Sequence, residues 1–376
     1  MKKAITLFLL FLCTQLNGQK PLFEQIGSIL NPQIINEANK NLLEKPITVT
    51  HFKSERSAGG KHDFFSEGDY WWPDPANPNG PYIQKDGLTN PANFTAHRKA
   101  MIRFSQIVAN QTSAFLLSGR SAYAHQAIKH IKAWFVDTTT MMSPHLLYAQ
   151  AIKGKVPGRG IGIIDMIQLI EVAKSIEILE KRKQINPVDQ LQIHAWFTNY
   201  LRWVNTHPYG IEEREAKNNH GTCWVMQVSA FAQLVNDEVL LNYCKERFLT
   251  VILPNQMDER GAFPLELKRT KPYGYSLFNI DAVMTIAHLY KVKNPALKKG
   301  IDFIYPYVKD KKSWPFPQDV MYWDEWPVAA PFLLFGYQDY TEASWLETWK
   351  KLPHFPENEE VIRNLPIRNP LIWLVN

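Results

Sequence analysis

The sequence predicts an all-α fold built from packed helical hairpins. Five separate stretches set apolar residues on one face at helical spacing, and strand-like alternation is rare and short. Short breaks join these stretches, which favours antiparallel neighbours over long crossovers. No internal repeat is readable, so a solenoid of regular modules is not expected. No low-complexity linker interrupts residues 19–376, which are read as one domain.

Taken in chain order, the first element is a targeting segment. Met1-Lys2-Lys3 is a short basic start, Ala4 to Leu12 is an apolar run, and the chain turns polar from Thr14. That is the pattern of a secretory signal peptide, too short to span a bilayer. Cleavage is expected between Gly18 and Gln19, which places the mature protein in the periplasm or outside the cell. Cys13 offers a lipid anchor as the alternative, disfavoured because Phe11-Leu12 before it lacks the usual small residues. Without residues 1–18 the chain carries 40 basic and 36 acidic residues, a net charge of +4. Such a mild excess fits a polyanionic partner. The basic residues are scattered, with no run resembling a nucleic-acid-binding arm.

Residues 56–92 depart from the helical texture. Arg56-Ser57-Ala58-Gly59-Gly60-Lys61-His62-Asp63, Gly68-Asp69-Tyr70-Trp71-Trp72-Pro73-Asp74-Pro75 and Asn79-Gly80-Pro81 predict a long ordered loop. Loops of that length inside compact domains often act as lids or binding loops. Tyr70, Trp71 and Trp72 are consecutive and cannot all enter a core, so at least one is expected to face a cleft. With 12 tryptophans and 15 tyrosines, the chain has aromatics to spare for stacking on sugar rings, although most are expected in the core.

The helices follow. Ile128, Ile131, Ala133 and Phe135 define one face; Met166, Ile167, Leu169, Ile170, Ala173 and Ile176 define the next. Ile193, Trp196, Phe197, Tyr200, Leu201 and Val204 form a third, opened by Pro187 with Asp189 in its first turn. Val225, Val228, Phe231, Ala232 and Val235 make a fourth; Val283, Ile286, Ala287 and Tyr290 make a fifth. Breaks fall at Thr206-His207-Pro208, Asn236-Asp237 and Lys293-Asn294-Pro295. Cys223 and Cys244 form no disulfide framework or zinc pattern and read as small buried hydrophobes.

Two segments stand out chemically. In Lys217-Asn218-Asn219-His220-Gly221-Thr222-Cys223-Trp224, two amides and an imidazole precede an apolar helical face. Asparagine also suits a helix cap there, and the histidine suits a satisfied core group. Downstream, Leu265-Glu266-Leu267-Lys268-Arg269-Thr270-Lys271-Pro272-Tyr273-Gly274-Tyr275-Ser276 sets Arg269 and Tyr275 six residues apart across a Pro-Gly turn; alone it reads as a basic loop. Other chemistries lack their signatures. There is no His-Glu-x-x-His, no other metal constellation and no Gly-x-Ser-x-Gly, and Gly158-Arg159-Gly160 lacks the Gly-Lys-Ser/Thr of a phosphate loop. His125 and His130, five apart, fall on different helix faces, and Asp324-Glu325 between Trp323 and Trp326 reads as a solvated rim pair. No metal and no cofactor are expected.

Jointly these segments resemble the alginate lyase superfamily of polysaccharide lyases, which carries Asn-Asn-His at a helix and then Arg and Tyr in a Glu-Leu-x-Arg segment. The matches are Asn219, His220, Arg269 and Tyr275. The loop through Trp72-Pro73-Asp74-Pro75, Tyr148-Ala149-Gln150-Ala151-Ile152 and Gly158-Arg159-Gly160-Ile161-Gly162 are also similar, so the resemblance spans most of residues 50–290. The Arg-to-Tyr spacing is one residue shorter than in the best-known branch, and Gly221-Thr222 departs from it, which points to a divergent branch. The resemblance implies an α/α toroid, an incomplete barrel of helical hairpins with the cleft at one end. It also implies an acidic polysaccharide substrate and the catalytic set Asn219, His220, Arg269 and Tyr275. Lys61, His62, Tyr70, Trp71, Trp72, Arg98, His145, Tyr148, Gln150 and Arg159 are the implied substrate-binding residues.

The implied reaction is β-elimination, which takes the C5 proton of a uronate and expels the oxygen on C4. Asn and Arg donors neutralise the carboxylate and the enolate that develops. One tyrosine serves as both base and acid where the two groups share a face of the sugar, as in mannuronate or glucuronate. For guluronate, His as base with Tyr as acid is the fitting pair. An arginine beside the phenol is expected to favour its ionised form. Glucuronan or another polyuronate is the alternative substrate. A glycoside hydrolase on a similar toroid would need a carboxylate pair, and a glycan-binding protein without catalysis would have no need of the intact four-residue set.

Overall fold

The computed structural model describes residues 21–375, so the expected signal peptide and Cys13 lie outside the described residues. The inner helices α2 (Ala96–Ser118), α4 (Ile170–Lys181), α7 (Asn219–Val235), α11 (Pro272–Tyr290) and α13 (Pro331–Tyr340) pack each against the next. Around them lie α1 (Leu22–Asn41), α3 (Ser121–Phe135), α5 (Pro187–Thr206), α8 (Glu238–Arg247), α12 (Pro295–Lys309) and α14 (Ala343–Trp349). The arrangement is the expected α/α toroid. Shorter helices α6 (Pro208–Arg214), α9 (Leu253–Gln256), α10 (Pro264–Leu267) and α15 (Glu359–Arg363) fill the connections. Among the described residues, no helix is long and apolar enough to cross a membrane.

The inner helices are buried on nearly every side, as α7 and α11 show from Thr222 to Ala232 and from Ser276 to Ala287. A helix apolar all round belongs in a core. One continuous hydrophobic cluster joins inner and outer helices. Phe104 stacks on Trp134 at 4.7 Å between ring centres, and the Trp134 indole donates to the Ile47 carbonyl oxygen at 3.0 Å. Cys223 and Cys244 are free and buried in this core.

The breaks act as caps. Asn186 accepts from Val188 and Asp189, with Pro187 at the first helical position. His207 closes α5 and caps α6, Asn236 ends α7 in the left-handed conformation, Asp237 caps α8, and Asn294 caps α12. Two expected faces need adjustment. On α3, Ile128 and Ala133 are only half-buried; Tyr123, Ala127, Ile131, Trp134 and Phe135 carry the contact. Gly160–Leu169 is a 3-10 stretch, and α4 starts only at Ile170. The segment is pressed onto a neighbouring strand: a Cβ at Gly162 would lie 2.5 Å from the Ala149 carbonyl oxygen.

Residues 56–92 form an ordered strap with short strands. β1 (Phe65–Glu67) pairs in parallel with β4 (Tyr148–Ala151), and β2 (Trp71–Trp72) pairs antiparallel with β3 (Ile83–Gln84), Trp71 opposite Gln84. The strap is pinned down. Arg56 forks onto Glu67 at 2.7 and 2.5 Å, the Asn90 side chain donates to the Trp71 carbonyl oxygen at 2.9 Å, and that of Asn93 donates to the Gly68 carbonyl oxygen at 2.8 Å. This fixes the strap over the end of the toroid where α7 and α11 begin.

Candidate active site

The cap and the chemistry at the start of α7 are divided between adjacent residues. Asn218 is the cap, its side chain accepting from the His220 backbone at 3.4 Å, which leaves Asn219 and His220 for the cleft. Asn219 is held by Glu266 of α10: its backbone N–H and its side-chain amide each donate to that carboxylate at 2.7 Å. Burial pushes the Glu266 carboxyl up, against the pull of the Asn219 donors. His220 Nδ1 lies 2.8 and 3.0 Å from the Glu213 oxygens. An ionised carboxylate only accepts, so Nδ1 is the donor here, and in the neutral ring Nε2 is the atom left with a lone pair. Burial raises the Glu213 carboxyl too, and His220 opposes the rise. Gly221 has a steric reason: a Cβ there would sit 2.2 Å from the Ala216 carbonyl oxygen.

The facing wall comes from α11, whose first turn carries Tyr275. The Tyr275 hydroxyl lies 2.7 Å from that of Tyr70 and receives the Arg269 Nη2 donor at 3.2 Å. The Arg269 guanidinium also covers the Tyr275 ring at 4.4 Å and forks onto Asp86 at 2.8 and 3.3 Å. Burial by itself would raise Asp86; hydrogen bonds from Arg269 and Thr270 outweigh it and hold the carboxyl below its usual range. Arg269 favours the ionised form of this phenol, as expected, but its pull is outweighed. Burial pushes Tyr275 well above the usual phenol range, Tyr70 adds to the rise, and Lys271 and Arg269 only oppose it. At rest the phenol is neutral.

Between these walls lies a cleft of about 460 Å³ that Asn219, His220, Arg269 and Tyr275 all line. Of the expected binding residues, Tyr70, Trp71, Gln150 and Arg159 line it as well. Arg159 binds the Gln150 carbonyl and amide oxygens at 3.1 and 3.0 Å, makes no ion pair among the described residues, and lies 5.8 Å from the Trp71 ring. Gly68 permits that approach, since a Cβ there would meet Trp71 at 2.7 Å and Arg159 at 2.9 Å. Gln150 holds a φ of 49°, a strained setting for a residue with a side chain.

The other six lie elsewhere. The Trp72 indole donates to the Leu88 carbonyl oxygen at 2.9 Å, outside the cleft. Lys61 is exposed near Thr139, and His62 bonds the Met141 carbonyl at 2.6 Å. His145 pairs with Asp63 at 3.3 Å, and Tyr148 packs beneath Gly59. Arg98 is buried, with Asp69 at 2.5 Å and Asp165 at 3.6 Å, so its charge is spent inside the protein. None of these six is among the residues that line the cleft. Glu213, Glu266, Asp86, Gln84, Glu212 and Arg363 complete the site without having been expected to. Only Glu266 had a local signal, three residues before Arg269 in the same motif.

Behind the strap the charges pair in a buried chain. Asp69 binds Arg98 and, at 2.9 Å, Arg363, which also holds Glu360 at 2.9 Å. Burial would raise the Asp69 carboxyl, yet Arg363 and Arg98 bring it down to about 2.

A model of the alginate lyase family matches residues 48–314. Among solved structures, an alginate lyase from Bacteroides ovatus is 29% identical, with a TM-score of 0.79, covering 93% of this chain and 96% of its own. Alginate lyase A1-III, from Sphingomonas species A1, is similar in fold. Its histidine-to-alanine variant complexed with tetrasaccharide gives 12% identity and a TM-score of 0.54 over 90% of this chain and 93% of its own. The corresponding values for its tyrosine-to-phenylalanine variant, likewise complexed, are 13%, 0.51, 86% and 88%. No curated protein sequence matches the chain.

Because Asp69 is depressed when folded, its stabilisation is present above the ordinary carboxylate range and fades as the pH falls from about 4 through about 2. Asp69→Asn should therefore be less stable than the parent at neutral pH, by about 3–5 kcal/mol for a broken buried pair. The gap should narrow on acidification. Urea unfolding across that range measures it, and a gap independent of pH contradicts the assignment.

Proposed function

The chain belongs to the alginate lyase family and is a polysaccharide lyase, and from that premise we propose that it cleaves alginate or a closely related polyuronate by β-elimination, leaving a C4–C5 double bond on the new non-reducing end. One observation carries this reading. The Tyr275 hydroxyl, between Tyr70 at 2.7 Å and Arg269 at 3.2 Å, opens onto the same cleft as Asn219 and His220. The B. ovatus alginate lyase, similar over nearly the whole chain, supports alginate as the substrate. The shorter Arg269–Tyr275 spacing and Gly221-Thr222 support a divergent branch, with glucuronan as the alternative. The N-terminal pattern supports export to where a polymeric glycan is met, with residues 19–376 as one domain.

Each residue has a role in the proposed step. Asn219, whose amide orientation Glu266 fixes, donates to the uronate carboxylate and to the enolate that develops on it. Arg269 adds charge beside the reacting phenol. Arg159, free of any ion pair among the described residues, receives a carboxylate while Trp71 supplies a face for the sugar ring. The C5–H bond breaks as its proton passes to the base; the C4–C5 double bond forms, the C4–O bond breaks with its electron pair, and the leaving oxygen takes a proton. Tyr275 performs both transfers on mannuronate or glucuronate. On guluronate, Nε2 of His220 takes the C5 proton and Tyr275 protonates the leaving oxygen.

Incubation with alginate, its block polymers and glucuronan should give near-ultraviolet absorbance from the unsaturated ends; only saturated products from every substrate cleaved would reject the lyase step. Tyr275→Phe should lose turnover by roughly a hundredfold to ten-thousandfold, mainly in kcat. Tyr273→Phe should keep it, because Tyr273 is buried with its hydroxyl on the Tyr307 carbonyl. The reverse ranking would move the assignment by two residues.

The two tryptophans of the strap should also separate. Trp71→Ala should raise KM by roughly tenfold, in line with the loss of one stacking contact worth about 1.4 kcal/mol. Trp72→Ala should leave KM near the parent value. Equal KM effects would remove Trp71 from its assigned place against substrate.

A further inference from the structure

Lys271 stands four residues before Tyr275 and is 5% exposed. Its ammonium donates to Glu360 at 2.9 Å and lies 5.2 Å from the Tyr70 ring, 5.3 Å from that of Tyr275 and 5.3 Å from that of Tyr322. Neither of its partners is idle. Glu360 is shared with Arg363 at 2.9 Å, and Arg363 reaches Asp69, the residue before Tyr70, at 2.9 Å. A buried ammonium persists only where partners hold it, and this chain of charges runs from α11 through α15 to the strap. Lys271 stays protonated: burial works against its charge, while Glu360 and Tyr275 raise it above its usual range.

The other cation at the phenol is already matched. Arg269 forks onto Asp86, whereas Lys271 divides a single carboxylate with Arg363. We propose that Lys271 is a positioning residue for the elimination: its buried ammonium stabilises the Tyr275 phenolate, and the Glu360–Arg363–Asp69 chain ties that charge to the strap that carries Tyr70. This rests on the lyase reading above. Lys271 exchanges no proton. It lowers the cost of moving the phenol proton in a site whose burial favours the neutral form. The other groups facing this pair are Tyr70 and Asp69 from the strap, Asp319 and Tyr322 from the loop beyond α12, Arg269 with Asp86, and Glu266, Glu213 and His220 across the cleft.

The test uses the sign of a pH shift. Lys271→Met/Glu360→Gln removes both charges and strands neither. Any kinetic limb set by Tyr275 should move to higher pH. Where that limb limits turnover, kcat at fixed pH should fall about tenfold for each pH unit the limb moves, with KM within about twofold. Lys271→Arg keeps the charge and should hold the limb near the parent position. A purely structural role would lower kcat with the limb unmoved, or move the limb as far in Lys271→Arg as in the double variant, and either result overturns the proposal. The phenolate absorbance of Tyr275, taken as the difference from Tyr275→Phe, should follow the same signs in the absence of substrate. If no polyuronate yields unsaturated product, the lyase reading fails while this titration still decides whether Lys271 controls the phenol.

Discussion

Four of the polar side chains at the cleft are each held from behind by a carboxylate. Glu266 takes both donors of Asn219, Glu213 takes Nδ1 of His220, Asp86 takes the fork of Arg269, and Glu360 takes the ammonium of Lys271. A carboxylate offers only acceptors, so each pairing fixes which atoms of its partner point backward and leaves the rest for substrate. The arrangement is costly, since Glu213, Glu266 and Glu360 are all largely buried. It persists because each carboxylate lies on a different short helix or turn already locked by the toroid: α6, α10 and α15. Preorganisation of this kind spares the site from reorganising when charge develops.

The toroid supplies the two walls. α7 and α11 pack against each other along their apolar lengths, so their first turns end side by side. Asn219 and His220 open one helix and Tyr275 the other. Both helices present N-terminal dipole ends toward the cleft, which leans the local field toward an anionic guest. The strap then closes the third side through Tyr70 and Trp71. Its anchors, Arg56 on Glu67 and Asp69 on Arg98 and Arg363, make it a built wall rather than a loose cover.

What the sequence made legible follows from which interactions are local. Helix faces repeat every three or four residues, and caps sit at fixed offsets from Pro187, Asn236 and Asn294, so the helical framework was readable. Asn219 with His220, and Arg269 with Tyr275, were readable because their chemistry is clustered within short segments. Asp86 bonds Arg269 across 183 residues and Arg98 bonds Asp69 across 29; no period or spacing announces such pairs. For the same reason Trp71 and Trp72 looked equivalent in the sequence. Their difference comes from β2, where neighbouring side chains leave opposite faces of the strand, and Arg98 looked available for substrate until its two buried carboxylates were seen.

The burial that encloses the site also works against Tyr275. Removing water strengthens every hydrogen bond on Tyr275, but it penalises the charge the phenol must carry if it is to accept a proton. Arg269 alone cannot offset that penalty, because Asp86 already draws on its charge. The neutral phenol is thus the resting form, which in the proposed elimination suits an acid toward the leaving oxygen. Its use as a base depends on cations close enough to hold a phenolate and buried enough to escape screening. Lys271 meets both conditions, under the same three aromatic rings that keep water from it. In the proposed elimination the sugar's stereochemistry sets whether Tyr275 works alone on one face or shares the transfers with His220 across it. The balance between burial and that one ammonium sets how readily Tyr275 gives the phenolate that the first role requires.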